Sequence, residues 1–215
     1  MSTLTKIALS LMGHLKPDRA RERSTTALEL PPPERTGGLP VLEALANRRS
    51  GREFATSALP PQILSNLLWA AFGVNRAQSG GRTAPSAQNA QEIDVYVALP
   101  SGTYNFDPKP HVLRLVAEVD ARRVTGYQDF VDEAPVDLIY VADNAHMGAV
   151  SEDVRIVFSA AAAGAIAQNV YLYCASAGLA TVVRGWFDRT ALASALKLAP
   201  GEQVLLTQTV GYPIT

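Results

Sequence analysis

The feature that most constrains this chain is the stretch from about Glu152 to Ala177, a long helical pattern broken by neither proline nor a charged cluster. At its centre Ala160, Ala161, Ala162, Ala163, Gly164 and Ala165 follow one another. Side chains this small let another backbone approach closely, so the helix is expected in the middle of the fold, with Gly178 as its C-terminal cap. The other elements have to be arranged around it.

Two shorter helices are expected before it. Val41 to Asn47 carries Leu42 and Leu45, read as facing inward. Pro61 then opens a helix with Ile63, Leu64, Leu67 and Leu68, ending near Gly73. Ile93, Val95, Val97 and Leu99 alternate with Asp94, Tyr96 and Ala98, the period of a strand. Tyr104 with Phe106 and Val112 to Val116 predict two further strands, separated by the Asp107–Pro108 turn. Val119 to Val131 reads as helical. Val136 to Ala142, Thr181 to Val183 and Gln203 to Val210 read as strands, with a last helix over Thr190 to Leu196. Mixing helices and strands without strict alternation points to the α+β class rather than a doubly wound sheet.

The first 38 residues read differently. Leu4, Ile7, Ala8, Leu11 and Leu15 suit a short amphipathic helix over 3–15, and the charged, proline-rich run to Gly38 suits a linker or arm. Either a mobile tail or an arm packed on a partner subunit fits this composition. The ordered domain is expected over 39–215, a single domain at this length.

Composition excludes several function classes. A net charge of −1 gives no field to attract nucleic acid. The single cysteine, Cys174, allows neither an internal disulfide nor a thiolate metal cluster, and His14, His111 and His146 make no ligand pair, so no metal site is expected. The run Ile7–Met12 is thin for a signal peptide, and no stretch of about twenty apolar residues suggests a membrane span. A cytoplasmic protein is the plain expectation. Phosphate-cradling G-x-G-x-x-G and Walker loops are absent, as is a hydrolase elbow.

Three polar clusters remain. Arg48, Arg49, Ser50 and Arg52 follow the first helix, where guanidinium groups and a hydroxyl suit a phosphate, or where arginines only complement the helix dipole. Arg82 to Gln91 precedes the first alternating strand and includes Pro85, Ser86, Asn89 and Gln91. Carboxamides there suit the edge of a neutral heterocycle, or a solvated turn. Arg184-Gly185-Trp186-Phe187-Asp188 holds a glycine through which a backbone amide can approach a ring; alternatively it is a helix start, with Asp188 as cap and both aromatics in the core.

The order Arg48-Arg49-Ser50-x-Arg52-x-Phe54, Pro85-Ser86-Ala87-Gln88-Asn89-x-Gln91, Gly164-x-x-x-Gln168-Asn169, Gly178-Leu179, Gly185-Trp186-Phe187-Asp188 and Val210-Gly211-Tyr212-Pro213 resembles the FMN-dependent nitroreductase superfamily. Leu30-Pro31-Pro32-Pro33, Leu68 to Gly73 and Arg82 to Ala87 resemble its branch of SagB-type, azoline-oxidising dehydrogenases. The resemblance implies a central, mainly antiparallel sheet flanked by helices. It also implies a homodimer with the long helix at its interface and two FMN sites, each built from both subunits. Arg48, Ser50 and Arg52 would hold the phosphate and pyrimidine edge, with Arg49 helping. Asn89 would reach the pyrimidine, Gln91 would support its loop, and Pro85 and Ser86 would line the site. Gly185 would present its amide to flavin N5, beside Arg184.

The implied activity is ping-pong transfer from NADH or NADPH to a nitroaromatic, quinone or similar small acceptor. A SagB-type dehydrogenase acting on a heterocycle, a non-catalytic flavin-binding protein and a plain dimeric interaction module are the alternatives. Two departures stand out. Arg184 occupies a position that is acidic in many relatives, which bears on the nicotinamide or acceptor tolerated. The basic clamp many relatives carry after the last strand is missing before Thr215, and Arg82 is one candidate to replace it.

Overall fold

The computed structural model describes residues 26–148 and 150–214. The helix expected over 3–15 and the first part of the arm lie outside the described residues. The strands are β1 (Ala27–Glu29), β2 (Val74–Arg76), β3 (Gly81–Arg82), β4 (Ile93–Leu99), β5 (Gly102–Asp107), β6 (Val112–Ala117), β7 (Val136–Asp143), β8 (Ala180–Arg184) and β9 (Glu202–Gly211). The α-helices are α1 (Val41–Asn47), α2 (Pro61–Phe72), α3 (Glu152–Ala177) and α4 (Arg189–Ala195). Seven strands form one sheet in the order β1-β6-β5-β4-β7-β9-β8, and every neighbouring pair is antiparallel. The chain has the expected α+β architecture.

Helices α1 and α2 and strand β8 pack against α3. One face of α3 buries Ala162, Ala163, Ile166, Ala167, Val170, Tyr171 and Cys174, joining a core with Leu64, Leu67 and Leu68 of α2 and Ile93, Val95 and Val97 of β4. Glu152 and Asp153 in the first turn favour the helix dipole. At the far end Gly178 adopts φ 70°, a left-handed conformation that glycine takes at little cost, and its amide donates to Cys174 O. Pro61 opens α2, as expected for a residue lacking an amide proton.

Strand β4 is buried on both sides. Tyr96 and Ala98 face a second core with Ile139, Val141, Phe187, Leu192 and Leu196, so α4 and its flanking loops cover the sheet face that α2 and α3 leave open. Alternation within β4 therefore separates two cores, not core from water.

Several expectations need correction. Leu42 and Leu45 are not inward: they are 77% and 47% exposed, and α1 buries only Ala44. Residues 119–131 form no α-helix. They make two short 3-10 turns, Arg122–Val124 and Asp129–Val131, because side chains organise the backbone: Arg122 donates to Asp120 and to Ala134 O at 2.7 Å, and Thr125 Oγ1 to Arg122 O at 2.8 Å. Part of the expected arm joins the body, with β1 pairing to β6, Ser65 donating to Pro31 O and Gln62 to Pro32 O. Among the described residues α3 does have the length and mean hydropathy of a membrane span, because its alanines raise the average. Part of its apolar surface is spent on the core above, while Ile156 and Val157 stay exposed.

Candidate functional site

The chain leaves α1 through Arg48 and runs as an extended segment across the C-terminal end of α3. Gly51 N donates to Thr181 O at 3.0 Å, Ala55 N donates to Tyr212 O at 2.9 Å, and Phe54 is buried beside Pro213. Pinned at both ends, the segment lines a cleft of about 910 Å³ with Arg48, Arg49, Ser50 and Arg52 on one wall and Tyr171, Cys174, Gly178 and Thr181 on the other. Arg49, Ser50 and Arg52 are exposed, and Arg48 is half-buried with its guanidinium 5.3 Å from the centre of the Tyr171 ring.

Tyr171 ties this wall to β8. Its hydroxyl accepts from Val183 N at 3.0 Å and lies 2.9 Å from Ser50 Oγ. Ser50 is thereby fixed to the strand that ends one residue before Gly185. Cys174 in the cleft floor is fully buried, and burial pushes its thiol far above the usual range, which makes it a poor nucleophile.

The second cluster folds into a self-braced loop. Gln91 N donates to Ser86 Oγ at 3.0 Å, Gln91 Nε2 donates to Gly80 O at 3.0 Å and to Asn89 Oδ1 at 3.1 Å, and Arg82 Nε donates to Gln91 Oε1 at 2.9 Å. Gln88, Asn89 and Gln91 all take positive φ, at 55°, 55° and 51°. Three non-glycine residues in that region are costly unless the surroundings hold them, and such strain gathers at binding sites. Pro85 is exposed at the loop's start. None of 82–91 lines the Arg48–Arg52 cleft of the same chain. Arg82, weighed as a substitute phosphate clamp, lies under Gln91 and 5.3 Å from the Phe72 ring instead.

At the third cluster, Arg184 turns away from the surface. Its Nη2 donates to Asp137 Oδ1 at 2.6 Å, Thr209 Oγ1 at 2.5 Å and Thr125 Oγ1 at 3.2 Å, and Thr209 Oγ1 also donates to Asp137. Burial pushes the Asp137 carboxyl up to about 6, against the pull of Arg184 and the two hydroxyls. The Arg184 side chain is thus a core group, and only its backbone borders Gly185. Gly185 is exposed, and its carbonyl accepts from Arg189 Nη2 at 3.3 Å. A Cβ there would meet only Leu206 Cδ2 at 3.7 Å, so the backbone faces open space. Asp188 caps α4 through Thr190 N and Ala191 N, and Phe187 is buried, but Trp186 is 75% exposed rather than in the core.

Neither the link that Tyr171 makes between Ser50 and Val183 nor the exposure of Trp186 could be read from spacing, since both depend on how distant elements pack. Carboxylates of Asp94, Asp143 and Glu202, distant in sequence, lie within 4.8 Å of one another. Asp143 Oδ1 accepts from Ala145 N and Glu202 Oε2 from Ala199 N, so two of the three carboxylates brace neighbouring turns.

An arginine-lined cleft and an exposed glycine at the end of β8 stand on an all-antiparallel α+β sheet that known oxidoreductases share. Residues 45–212 match the model of the nitroreductase family. A provisionally named nitroreductase of Methanocaldococcus jannaschii is 32% identical over 182 residues, 80% of this chain and 90% of that protein. The crystal structure of a provisionally named nitroreductase from Ralstonia eutropha JMP134 superposes with a TM-score of 0.85 at 51% identity, covering 94% of this chain and 96% of that one. The NADPH:FMN oxidoreductase of Vibrio harveyi, solved with NAD+, shares the fold at a TM-score of 0.60 and 19% identity, covering 81% of this chain and 69% of that one. The chain belongs to the nitroreductase family.

Proposed function

We propose that this protein is an FMN-dependent oxidoreductase acting as a homodimer, taking electrons from NADH or NADPH and passing them to a small electron-poor acceptor such as a nitroaromatic or quinone. The observation that carries the reading is a cleft that gathers three guanidinium groups with Ser50, whose hydroxyl meets Tyr171 and through it the strand that ends beside Gly185. Cationic donors in the cleft and an exposed glycine after the linked strand suit a flat ring with a phosphorylated tail. When bound, FMN would supply the hydride-transfer chemistry that no side chain of this chain offers. The Vibrio harveyi neighbour is named for NADPH and FMN, and both are carried to this chain as part of the proposal.

The chain's own residues divide the remaining work. Arg48 and Arg52 bind the phosphate, with Arg49 contributing charge at the cleft mouth. Ser50, held by Tyr171, offers an oriented hydroxyl. The strained loop presents Asn89 to the pyrimidine edge while Ser86 and Gln91 hold its shape and Pro85 borders the ring. Because that loop is not part of the same chain's cleft, we assign it to the site of a second copy. Exposed Val41, Leu42, Leu45, Ile156 and Val157 supply the apolar surface that a second copy would cover. Gly185 would offer its amide to the bound ring, and Arg184 would act only through its backbone.

Gly185→Val tests the assignment. The fold has room for the side chain, so the variant is expected to melt like the parent while losing FMN content and turnover. A variant that keeps full FMN and full turnover would overturn it.

A further inference from the structure

Beside Gly185 the surface carries an aromatic pair that the reading above leaves unused. Trp186 is 75% exposed and Tyr127 is 59% exposed, yet their rings meet edge to face at 5.7 Å between centroids. Exposed tryptophan is uncommon on a surface with no task for it. Here both partners are held in place from below. Phe187 is buried and Asp188 caps α4, which fixes the turn bearing Trp186.

Tyr127 is fixed by the buried charge network. Thr125 Oγ1 donates to Asp137 Oδ2 at 3.0 Å, Thr207 Oγ1 donates to Thr125 O at 2.8 Å, and Arg184 Nη2 reaches Thr125 Oγ1. A Cβ on Gly126 would lie 2.1 Å from Arg184 Nη1, so only glycine lets the 125–127 turn sit this close to the end of β8. The Arg184–Asp137 pair therefore clamps the Tyr127 turn to the strand that leads to Gly185. Trp186 follows Gly185 directly, so the clamped pair borders the open space beside the Gly185 backbone.

We propose that Trp186 and Tyr127 form a stacking wall that selects planar aromatic acceptors. The inference rests on the flavin reading above, because it takes the space at Gly185 as the reaction face. Aromatic rings attract edge to face and offset-stacked partners beyond what area alone provides, so the wall discriminates a flat ring from a saturated one of equal size. Both residues are exposed, and truncating either leaves the cores untouched.

The test uses the full chain, loaded with FMN and fully oxidised, and reads binding instead of turnover. Benzamide and cyclohexanecarboxamide are titrated while the flavin absorbance is followed, in the parent, Trp186→Ala and Tyr127→Ala. The parent is expected to favour benzamide by about fivefold, and each variant to lose most of that preference. Equal preference in parent and variants overturns the inference, as does a parent that does not discriminate. A change in dimer dissociation with the ring preference intact overturns it too, and would place Trp186 under the partner subunit. A protein that stays colourless with FMN removes the flavin reading, and this inference falls with it.

Discussion

Ser50 and Val183 meet at one atom: the Tyr171 hydroxyl lies 2.9 Å from Ser50 Oγ and accepts from Val183 N at 3.0 Å. The segment after α1 and the strand before Gly185 are thus held in a fixed relation by a side chain from α3. Tyr171→Phe removes both contacts without removing bulk. Losing the hydrogen bond to the Val183 amide costs about 1 kcal/mol, and with Ser50 unanchored FMN is expected to bind about fivefold more weakly. Fluorescence titration of FMN checks this; an affinity equal to the parent's would detach Tyr171 from the site.

The arginines are assigned to the phosphate, so their loss should be felt by FMN and not by riboflavin, which has no phosphate. Charge-assisted hydrogen bonds contribute about 1.5–3 kcal/mol each. The double variant Arg48→Ala/Arg52→Ala is expected to lower the ratio of FMN to riboflavin affinity at least about tenfold. Parallel titrations with the two flavins measure that ratio. An unchanged ratio would move the phosphate elsewhere.

Leu42 and Val157 are 77% and 64% exposed, and the proposed dimer covers them. Leu42→Glu sets a charge against an apolar surface, so it is expected to shift the species in light scattering from two copies to one and to release FMN at the same time. A dimer with full FMN content in that variant, or a parent monomer that holds FMN, would contradict the shared site.

Glu92 leads from the strained loop into β4 and is fully buried. Among the described residues no donor bonds its carboxylate with good geometry, and only its own amide favours the charged form. Burial raises its pKa above the usual 4.5, with that amide pulling the other way. A raised folded value means the protonated acid suits the fold. The benefit is intact below the ordinary glutamate range and is lost as pH rises through the raised value. Glu92→Gln keeps the neutral form at all pH, so it is expected to raise Tm by about 3 °C at pH 8 and to converge on the parent near pH 4. A gain independent of pH, or largest in acid, would contradict this account of the buried carboxyl.

Much of the fold was legible because its signals are local. The small-residue run, Pro61 and Gly178 set α3 and the start of α2, and the β4 alternation needed no tertiary knowledge. The failures share a different cause. An amphipathic α1 predicts that Leu42 and Leu45 face the core, but the sequence does not show that only Ala44 reaches it. Residues 119–131 have helical composition, yet Arg122 and Thr125 bond the backbone directly and win over propensity. At the site, Arg48 to Arg52 could be read from clustering. The inward turn of Arg184 could not, since it depends on Asp137 and Thr209 arriving from two other strands. For Trp186 and Phe187 the sequence left a core placement as one of two readings, and only Phe187 takes it.

An anaerobic visible spectrum of the purified protein with FMN, before and after NADH or NADPH and then after a nitroaromatic or quinone, reaches the central claim most directly. The account predicts a yellow protein that bleaches with at least one nicotinamide and recovers its colour with the acceptor. A protein that stays colourless with added FMN, or whose flavin neither nicotinamide bleaches, would contradict it.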